Sequence, residues 1–374
     1  MLVNAKVVES VLRPVVRFVF SQSSKVLEVL NHIRFSVQNG LMEIAASNGE
    51  NTLIVNSPLR TDENMSFFIL ADRFYKILKA IGDKDVQISY DTQLVTISAD
   101  DTIFHLQTLQ ASEYPIKLLE IPNTETSFVV RAEDFVKGVS KVSSFVSDSA
   151  SLPSMVFSGI LFDVNGDNLN FVASDTIRMG IYSTKCSWLG EPKSVKFVLP
   201  ASPLEVLTQI FDSGEIQVSI IKENEDIVAI VFRKDNMVSK IVVINGTYPN
   251  YKGVIPSSLK NKAVIDKNTL RDVVNKISIL VSKENNKIDF EFTKNKLTAL
   301  VDNKLVGQGV STVNMDYNGE DVVVGLNYLY LLDGINSIDA SVIHWEHNGS
   351  ESVSLLSSPE EKDYLYLFMP MRRG

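Results

Sequence analysis

The chain has 374 residues, enough for about two to four domains that each bury a core. Cys186 is the only cysteine, which excludes intrachain disulfides, four-cysteine zinc sites, iron–sulfur clusters and Cys-x-x-Cys redox pairs. Forty-five acidic against 36 basic residues give a net charge of −9, so any surface for nucleic acid must be local.

The N-terminus, MLVNAKVVES, carries Glu9 and lacks the basic start and long apolar core of a signal peptide, so a cytosolic setting is expected. An apolar triplet and a polar break lead into a helix over residues 4–20, with Lys6, Arg13 and Arg17 on one side. Period-two strands follow in IRFSVQNGLMEIAAS, joined at Asn39-Gly40, a hairpin signal. ILADRFYKIL, from Ile69, turns a short strand into a second helix over 71–83, basic through Arg73, Lys76 and Lys79. The extended segment EYPIKLLEIP then runs to Pro122, its prolines opposing a helix.

The pattern then repeats. FVVRAEDFVKGV from Phe128 predicts a helix over 131–148 with Lys137 and Lys141 on one face, and ILFDVNGDNLNFVAS predicts a hairpin at Asn165-Gly166. VLPASPLEVL predicts a helix over 201–213 that carries Glu205 and Asp212, and TYPNYKGVIP forms a second extended tail ending at Pro256. In the third round AVIDKNTLRDVV from Ala263 predicts a helix over 266–284 with Lys267 and Arg271, and KIDFEFTKNKLTALVD turns near Asn295-Lys296. VVGLNYLYLL then predicts a helix over 325–338 with Asp333. The spacing of roughly 130 residues is too long for a solenoid, so each repeat is read as an α+β domain with two helices packed on antiparallel sheet: 1–120, 121–256 and 257–374. Three such domains curving one way can close into a ring with a partner chain.

Catalytic signatures are missing. No phosphate-binding glycine loop, Gly-x-Ser-x-Gly elbow or His-Glu-x-x-His motif occurs, so neither enzymatic activity nor a cofactor is expected. His344 and His347 lie three apart in an alternating strand, on opposite faces, and no metal is expected there. The helix windows together are close to neutral, so the acidic excess lies outside them. That asymmetry fits helices facing a polyanion, and a solvated amphipathic face equally well. The ending LYLFMPMRRG places two methionines around a proline before Arg372 and Arg373, either a closing edge strand with a basic tail or an adaptable lip for a peptide.

The threefold repeat, the ending Met369-Pro370-Met371-Arg372, the segment Ala173 to Met179 and Tyr248-Pro249-Asn250-Tyr251 together resemble the bacterial sliding clamps, the β subunits of DNA polymerase III, along the entire chain. The resemblance implies a DNA-clamp fold in which two chains close head to tail around duplex DNA. It also implies a non-enzymatic processivity factor, cytoplasmic and nucleoid-associated. Implied partners are a second copy, DNA without sequence preference, the polymerase III α subunit, the clamp loader and other proteins with short clamp-binding peptides. The runner-up is a repeat-built interaction or structural protein that does not encircle DNA.

By the same resemblance, a peptide pocket would be lined by Phe157, Ser174, Thr176, Ile177, Arg178, Met179, Pro249, Val254, Leu367, Met369, Pro370, Met371 and Arg372. Arg178 and Arg372 would donate hydrogen bonds at its rim. Ile81, Phe104 and Leu106 of one chain would meet Ile279 and Leu280 of the other. DNA would face Lys6, Arg13, Arg17, Lys25, Arg73, Lys76, Lys79, Lys137, Lys141, Lys267 and Arg271. Two departures stand out: Ile177 occupies a position where the family usually has histidine, and the loop 147–154 lacks the basic residue common there.

Overall fold

Hydrophobic periodicity switches between two and 3.6 residues along the chain, and a computed structural model places strands and helices where it switches. It describes residues 1–20, 27–122, 124, 126–147, 154–282 and 285–371. The first third runs β1 (Leu2–Asn4), α1 (Ala5–Phe20), β2 (His32–Gln38), β3 (Leu41–Ser47), β4 (Thr52–Pro58), β5 (Met65–Leu70), α2 (Ala71–Ile81), β6 (Asp85–Asp91), β7 (Leu94–Ala99) and β8 (Thr102–Leu109). The middle third runs β9 (Ser127–Arg131), α3 (Ala132–Val142), β10 (Gly159–Asn165), β11 (Asn168–Ser174), β12 (Arg178–Lys185), β13 (Ser187–Trp188), β14 (Ser194–Pro200), α4 (Ala201–Thr208), β15 (Glu215–Glu223), β16 (Asp226–Lys234) and β17 (Met237–Val242). The last third runs β18 (Asn261–Asp266), α5 (Lys267–Ser278), β19 (Lys287–Thr293), β20 (Lys296–Asn303), β21 (Gly307–Asn314), β22 (Asp316–Asn318), β23 (Val322–Asn327), α6 (Tyr328–Ser337), β24 (Val342–His347), β25 (Ser354–Ser358) and β26 (Glu361–Phe368). Each third thus carries two α-helices among the described residues, as the repeats predict.

The chain packs into two compact bodies, and the middle repeat is shared between them. The first body comprises Met1–Lys137, Cys186–Lys193 and Leu199–Ile244. Its single antiparallel sheet has the order β1-β6-β7-β8-β5-β2-β3-β4-β17-β16-β15-β9-β13. Val8, Leu12, Val15 and Phe18 of α1 are buried at helical spacing, as are Phe74 and Leu78 of α2. Phe35 stacks on Phe67 at 5.0 Å and meets Phe74 edge-on at 5.7 Å, while Phe135 packs on Phe232 at 5.4 Å.

The second body comprises Gly138–Lys185, Ser194–Val198 and Asn245–Gly374. It holds a sheet of order β14-β10-β11-β12-β26-β25-β24-β18-β22 and another of order β21-β20-β19-β23. Trp345 is fully buried, with Phe290 at 5.5 Å and Phe292 at 5.0 Å. The strand β26 lies between β12 and β25, pairing Met179 with Leu367 on one side and Leu355 with Leu367 on the other.

Several elements differ from expectation. Gln38 faces Leu41, so Asn39-Gly40 close the first hairpin as predicted. In the other two the turn lies one residue earlier or later: Asn165 faces Asn168 and Thr293 faces Lys296. The left-handed residues decide this, Gly166 at φ 59° and Asn295 at φ 62°. The helix expected over 131–148 ends at Val142, after which Ser143–Phe145 form one 3-10 turn whose Phe145 ring sits 4.9 Å from Tyr366. The helix expected over 201–213 ends at Thr208, where Leu207 already accepts from Ile210 N and Phe211 N and the chain turns away.

Candidate functional site

In the second body, three segments far apart in sequence meet around a cavity of about 230 Å³. Ser174 closes β11 and Arg178 opens β12, and Asp175 shapes the turn between them. Its Oδ1 accepts from Ile177 N at 3.0 Å and Arg178 N at 2.9 Å. Ser174 Oγ donates to Arg178 O at 2.8 Å and accepts from Thr176 N at 3.1 Å, which holds Thr176 in a left-handed conformation, φ 78°. The result is a tight turn that presents Ile177, 43% exposed, to the opening.

The second wall is the Tyr248-Pro249-Asn250-Tyr251 segment. Tyr251 Oη donates to the buried carboxylate of Asp163 at 2.8 Å, and that carboxylate also has Lys252 at 3.0 Å. Burial, then the Asp163 charge, pushes the Tyr251 hydroxyl pKa upward, so it stays a donor. The third wall is the end of β26, held because Met369 N donates to Ile177 O at 2.9 Å. Ile177, Val254 and Met369 are all exposed at the mouth, leaving apolar surface that the rest of the chain does not cover.

Every expected lining residue from Phe157 to Met369 is present in this cavity. Pro370 and Met371 are not: the tail turns away, and Met371 N donates to Gly325 O at 2.8 Å. Arg372 lies outside the described residues. Tyr248, Tyr251, Val353 and Phe368 also line the cavity and were missed. The two tyrosines flank Pro249 in the Tyr-Pro-Asn-Tyr motif, so their proximity was a usable signal, whereas Val353 had none.

Arg178 corrects the expectation of a rim donor. Its side chain is only 15% exposed, and Nε donates to Asp175 Oδ2 at 2.8 Å. Nη1 donates to Asp333 on α6, and the guanidinium lies 4.7 Å from the Tyr330 ring. A guanidinium paired to two carboxylates and stacked on a ring is engaged inside the chain.

In the first body, α1 and α2 enclose a basic cleft of about 480 Å³. Lys6, Arg13 and Arg17 face it from α1 and Lys79 from α2, all exposed. Glu9 is buried beneath Arg13, accepting from its Nε at 3.0 Å and Nη2 at 2.8 Å. The Arg13 hydrogen bond holds the Glu9 carboxyl below its ordinary pKa despite burial, so Glu9 stays ionised and orients Arg13. Arg17 Nη1 donates to Gln209 Oε1 at 2.9 Å. Arg73 and Lys76 are exposed on α2, Lys76 paired with Asp72 at 2.8 Å.

The other basic positions expected to meet DNA differ. Lys141 is buried in the second body, where Nζ pairs with Glu361 at 2.8 Å and Asp339 at 2.9 Å over the Tyr364 ring. Helical spacing placed it beside Lys137, but β26 and the chain after α6 cover that turn of α3, and only a neutralised ammonium can stay there. Lys267 is half-buried and donates to Ile338 O, and burial lowers its pKa. Arg271 is also half-buried and donates to Asn268 Oδ1 at 2.8 Å, and Lys137 is half-buried. Lys25 lies outside the described residues, as does most of the loop 147–154.

Of the residues expected at a subunit contact, Ile279 is 78% exposed, and Ile81, Phe104, Leu106 and Leu280 are half-buried. Leu305 at 97% and Ile103, Val306 and Val310 are exposed near them and were missed, because strand alternation does not say which edge is uncovered. His344 and His347 alternate on β24 as expected, His347 buried against Phe292 at 4.6 Å. No cluster with metal-ligand geometry occurs among the described residues, and none of their helices is long and apolar enough to cross a membrane.

The profile of the DNA polymerase III beta subunit N-terminal domain matches residues 6–119, that of the central domain 130–250, and that of the C-terminal domain 252–372. The beta sliding clamp of Streptomyces coelicolor is 24% identical over 355 residues, 92% of each chain. Crystal structures of the DNA polymerase III beta subunit from Pseudomonas aeruginosa and Thermotoga maritima share the fold. The first aligns with a TM-score of 0.91 at 20% identity over 100% of both chains, the second with 0.88 at 21% identity over 100% of this chain and 99% of that one. Three consecutive domain profiles thus account for nearly the entire sequence, and the chain belongs to the DNA polymerase III β subunit family, the non-catalytic sliding clamps of DNA replication.

Proposed function

We propose that two copies of this chain close head to tail into a ring around duplex DNA. Its pocket would hold short peptides of the polymerase III α subunit, the clamp loader and other replication proteins. The cavity built from Ser174–Met179, Tyr248–Val254 and Leu367–Met369 carries this reading. Methionine, isoleucine and valine at its mouth adapt to aliphatic and aromatic anchors, and a concave apolar site with few polar groups suits side-chain insertion. Ile177 makes the mouth insensitive to pH near neutrality, because no imidazole titrates there.

Ring closure is supported by two open strand edges. Among the described residues β21 pairs only with β20, and Thr102 to Gln107 of β8 pair only with β7. Such edges invite pairing with another chain. Ile279, Leu305, Val306 and Val310 accompany the first edge, and Ile103, Phe104 and Leu106 the second. Leu280 reaches β21 only because Gly309 lacks a side chain; a Cβ there would approach Leu280 Cδ1 to 2.5 Å. We place the domain boundaries near residues 120 and 256, and the site of action on nucleoid DNA in the cytoplasm. Contacts to phosphates alone carry no sequence information, which lets a ring slide.

Titrating a labelled Gln-Leu-x-Leu-Phe peptide against the intact chain and against one lacking Met369 to Gly374, first checked for folding and dimerisation, tests the pocket. Micromolar binding that is lost on truncation is expected. Equal affinity for both would remove the pocket from this reading.

A further inference from the structure

We infer that Asp163 is a positioning residue for the peptide pocket: through the Tyr251 hydroxyl it holds the Tyr248–Val254 wall at a fixed distance from the Ser174–Arg178 turn. The inference rests on the peptide-pocket reading and adds which residue keeps that pocket formed before a peptide arrives.

The strand itself does not call for a carboxylate. β10 reads GILFDVN, and every residue from Gly159 to Val164 is buried, so an apolar side chain at 163 would suit its packing. A buried charge persists only where partners offset its desolvation. Here three converge on one oxygen, Oδ2. Tyr251 Oη donates to it at 2.8 Å, Lys252 Nζ lies at 3.0 Å and Lys196 Nζ at 3.7 Å.

Strand register explains why the hydroxyl meets the sheet at this place. Asp163 lies opposite Asn170 of β11, and Asn170 opposite Ser183 of β12, so the three form a polar row on one face of the sheet. Ser183 Oγ donates to Asn170 Oδ1 at 2.7 Å, and the Asn170 side chain also reaches the Tyr251 hydroxyl. The Ser174–Arg178 turn joins the same β11 and β12, and Ser174 follows Asn170 by about 13 Å of extended strand. One wall of the cavity is therefore built into the sheet, and Asp163 ties the other wall to it. Within that second wall, Tyr251 N donates to Pro249 O at 2.8 Å and Gly253 N to Asn250 O at 3.2 Å, bonds that shape the segment without attaching it to the sheet. Tyr248 adds a ring contact with Phe157 at 5.7 Å. Released from Asp163, the segment would keep its local turn but lose its fixed place over the sheet, and a peptide would then have to order it on binding.

The test uses the intact chain and the labelled Gln-Leu-x-Leu-Phe peptide, read by fluorescence anisotropy on variants whose circular dichroism and dimerisation match the unmodified protein. Tyr251→Phe and Asp163→Leu should each weaken binding by roughly tenfold, as expected for loss of a hydrogen bond to a charged group. Asp163→Asn, whose amide oxygen still accepts from Tyr251, should lose less than about threefold. The double variant Asp163→Leu, Tyr251→Phe should lose no more than either single one, because both remove the same bond. Should Asp163→Leu fail to fold, Tyr251→Phe, which leaves Asp163 its two ammonium partners, carries the test alone. Affinity unchanged in Tyr251→Phe, or losses that add in the double variant, would overturn the inference. So would a loss in Asp163→Asn equal to that in Asp163→Leu, which would mark general destabilisation, or a loss in Tyr251→Phe that Asp163→Leu does not share, which would make the hydroxyl a direct peptide contact. No binding by the unmodified chain strikes the pocket reading itself, whereas binding that survives these variants strikes only the role of Asp163.

Discussion

Arg178 sits where a ligand donor was expected and instead ties the Asp175–Ile177 turn to α6 through Asp333. Asp333→Asn should therefore loosen the turn and weaken peptide binding by roughly three- to tenfold, about 0.7 to 1.4 kcal/mol for a half-exposed partner, while dimerisation is unchanged. Isothermal titration with the same peptide checks this, and unchanged affinity would return Arg178 to a purely structural place. His347 sets a second expectation. Burial depresses its pKa from 6.5 to about 4 while Nδ1 accepts from Gly349 N at 3.2 Å, so the folded ring is neutral. An unfolded chain takes up that proton near pH 6.5 and the folded one only near 4. The stability it confers is thus complete above about 6.5 and is lost as pH falls toward 4, amounting to about 2 kcal/mol by pH 5. Urea unfolding at pH 7.5 and 5, followed through Trp345 in a Trp188→Phe background, should show His347→Phe losing less on acidification; parallel losses would refute the assignment. At this scale the sequence was a partial guide. The resemblance to the sliding clamps pointed to Ile177, Met369 and Pro249, but whether Lys141 or Arg178 faces outward depends on acids roughly 150 to 220 residues away that no local pattern reveals.

Among elements, hairpins and helices were legible because each carries its own period and its own breakers. Helix ends were less so: α3 and α4 stop where Phe145 and Phe211 must enter the core, a tertiary demand that overrides propensity. The two open strand edges were invisible for the same reason, since an edge is defined by what fails to pair with it. They yield a direct expectation. Replacing Ile279 and Leu280 by alanine, or Leu305 and Val306 by aspartate, should shift the protein toward monomers by light scattering at low micromolar concentration. Burying each such apolar side chain contributes about 1.5 to 3 kcal/mol. Peptide affinity should survive, because the pocket shares no residue with these edges. A double variant that remained fully dimeric would show that the interface lies elsewhere.

For the complete molecule, the repeat was the strongest signal, and the profiles of three consecutive clamp domains agree with it. What the repeat conceals is that the middle copy is divided, its β9, β15, β16 and β17 in one body and its β10, β11 and β12 in the other. Tertiary packing thus cuts across a unit that sequence similarity keeps intact. The ring reading makes one expectation of the assembled protein: loaded on closed circles it should stay bound through a high-salt wash and leave when the circle is cut. Equal retention on linear and circular DNA would mean that binding is not topological.

The position of β26 between β12 and β25 has a further consequence for biogenesis. Met179 leaves the ribosome roughly 190 residues before Leu367, a delay of about 10 to 40 s at ordinary translation rates. Throughout that interval β12 has synthesised neighbours on one side alone, and its other edge can capture a wrong strand. On the peptide-pocket reading a nascent chain therefore cannot bind a peptide early, since the wall containing Leu367 and Met369 arrives with the same strand that completes the sheet. Ribosome-stalled chains ending before residue 361 should accordingly be protease-sensitive around β12 and bound by holdase chaperones, and those extended past residue 371 should be protected.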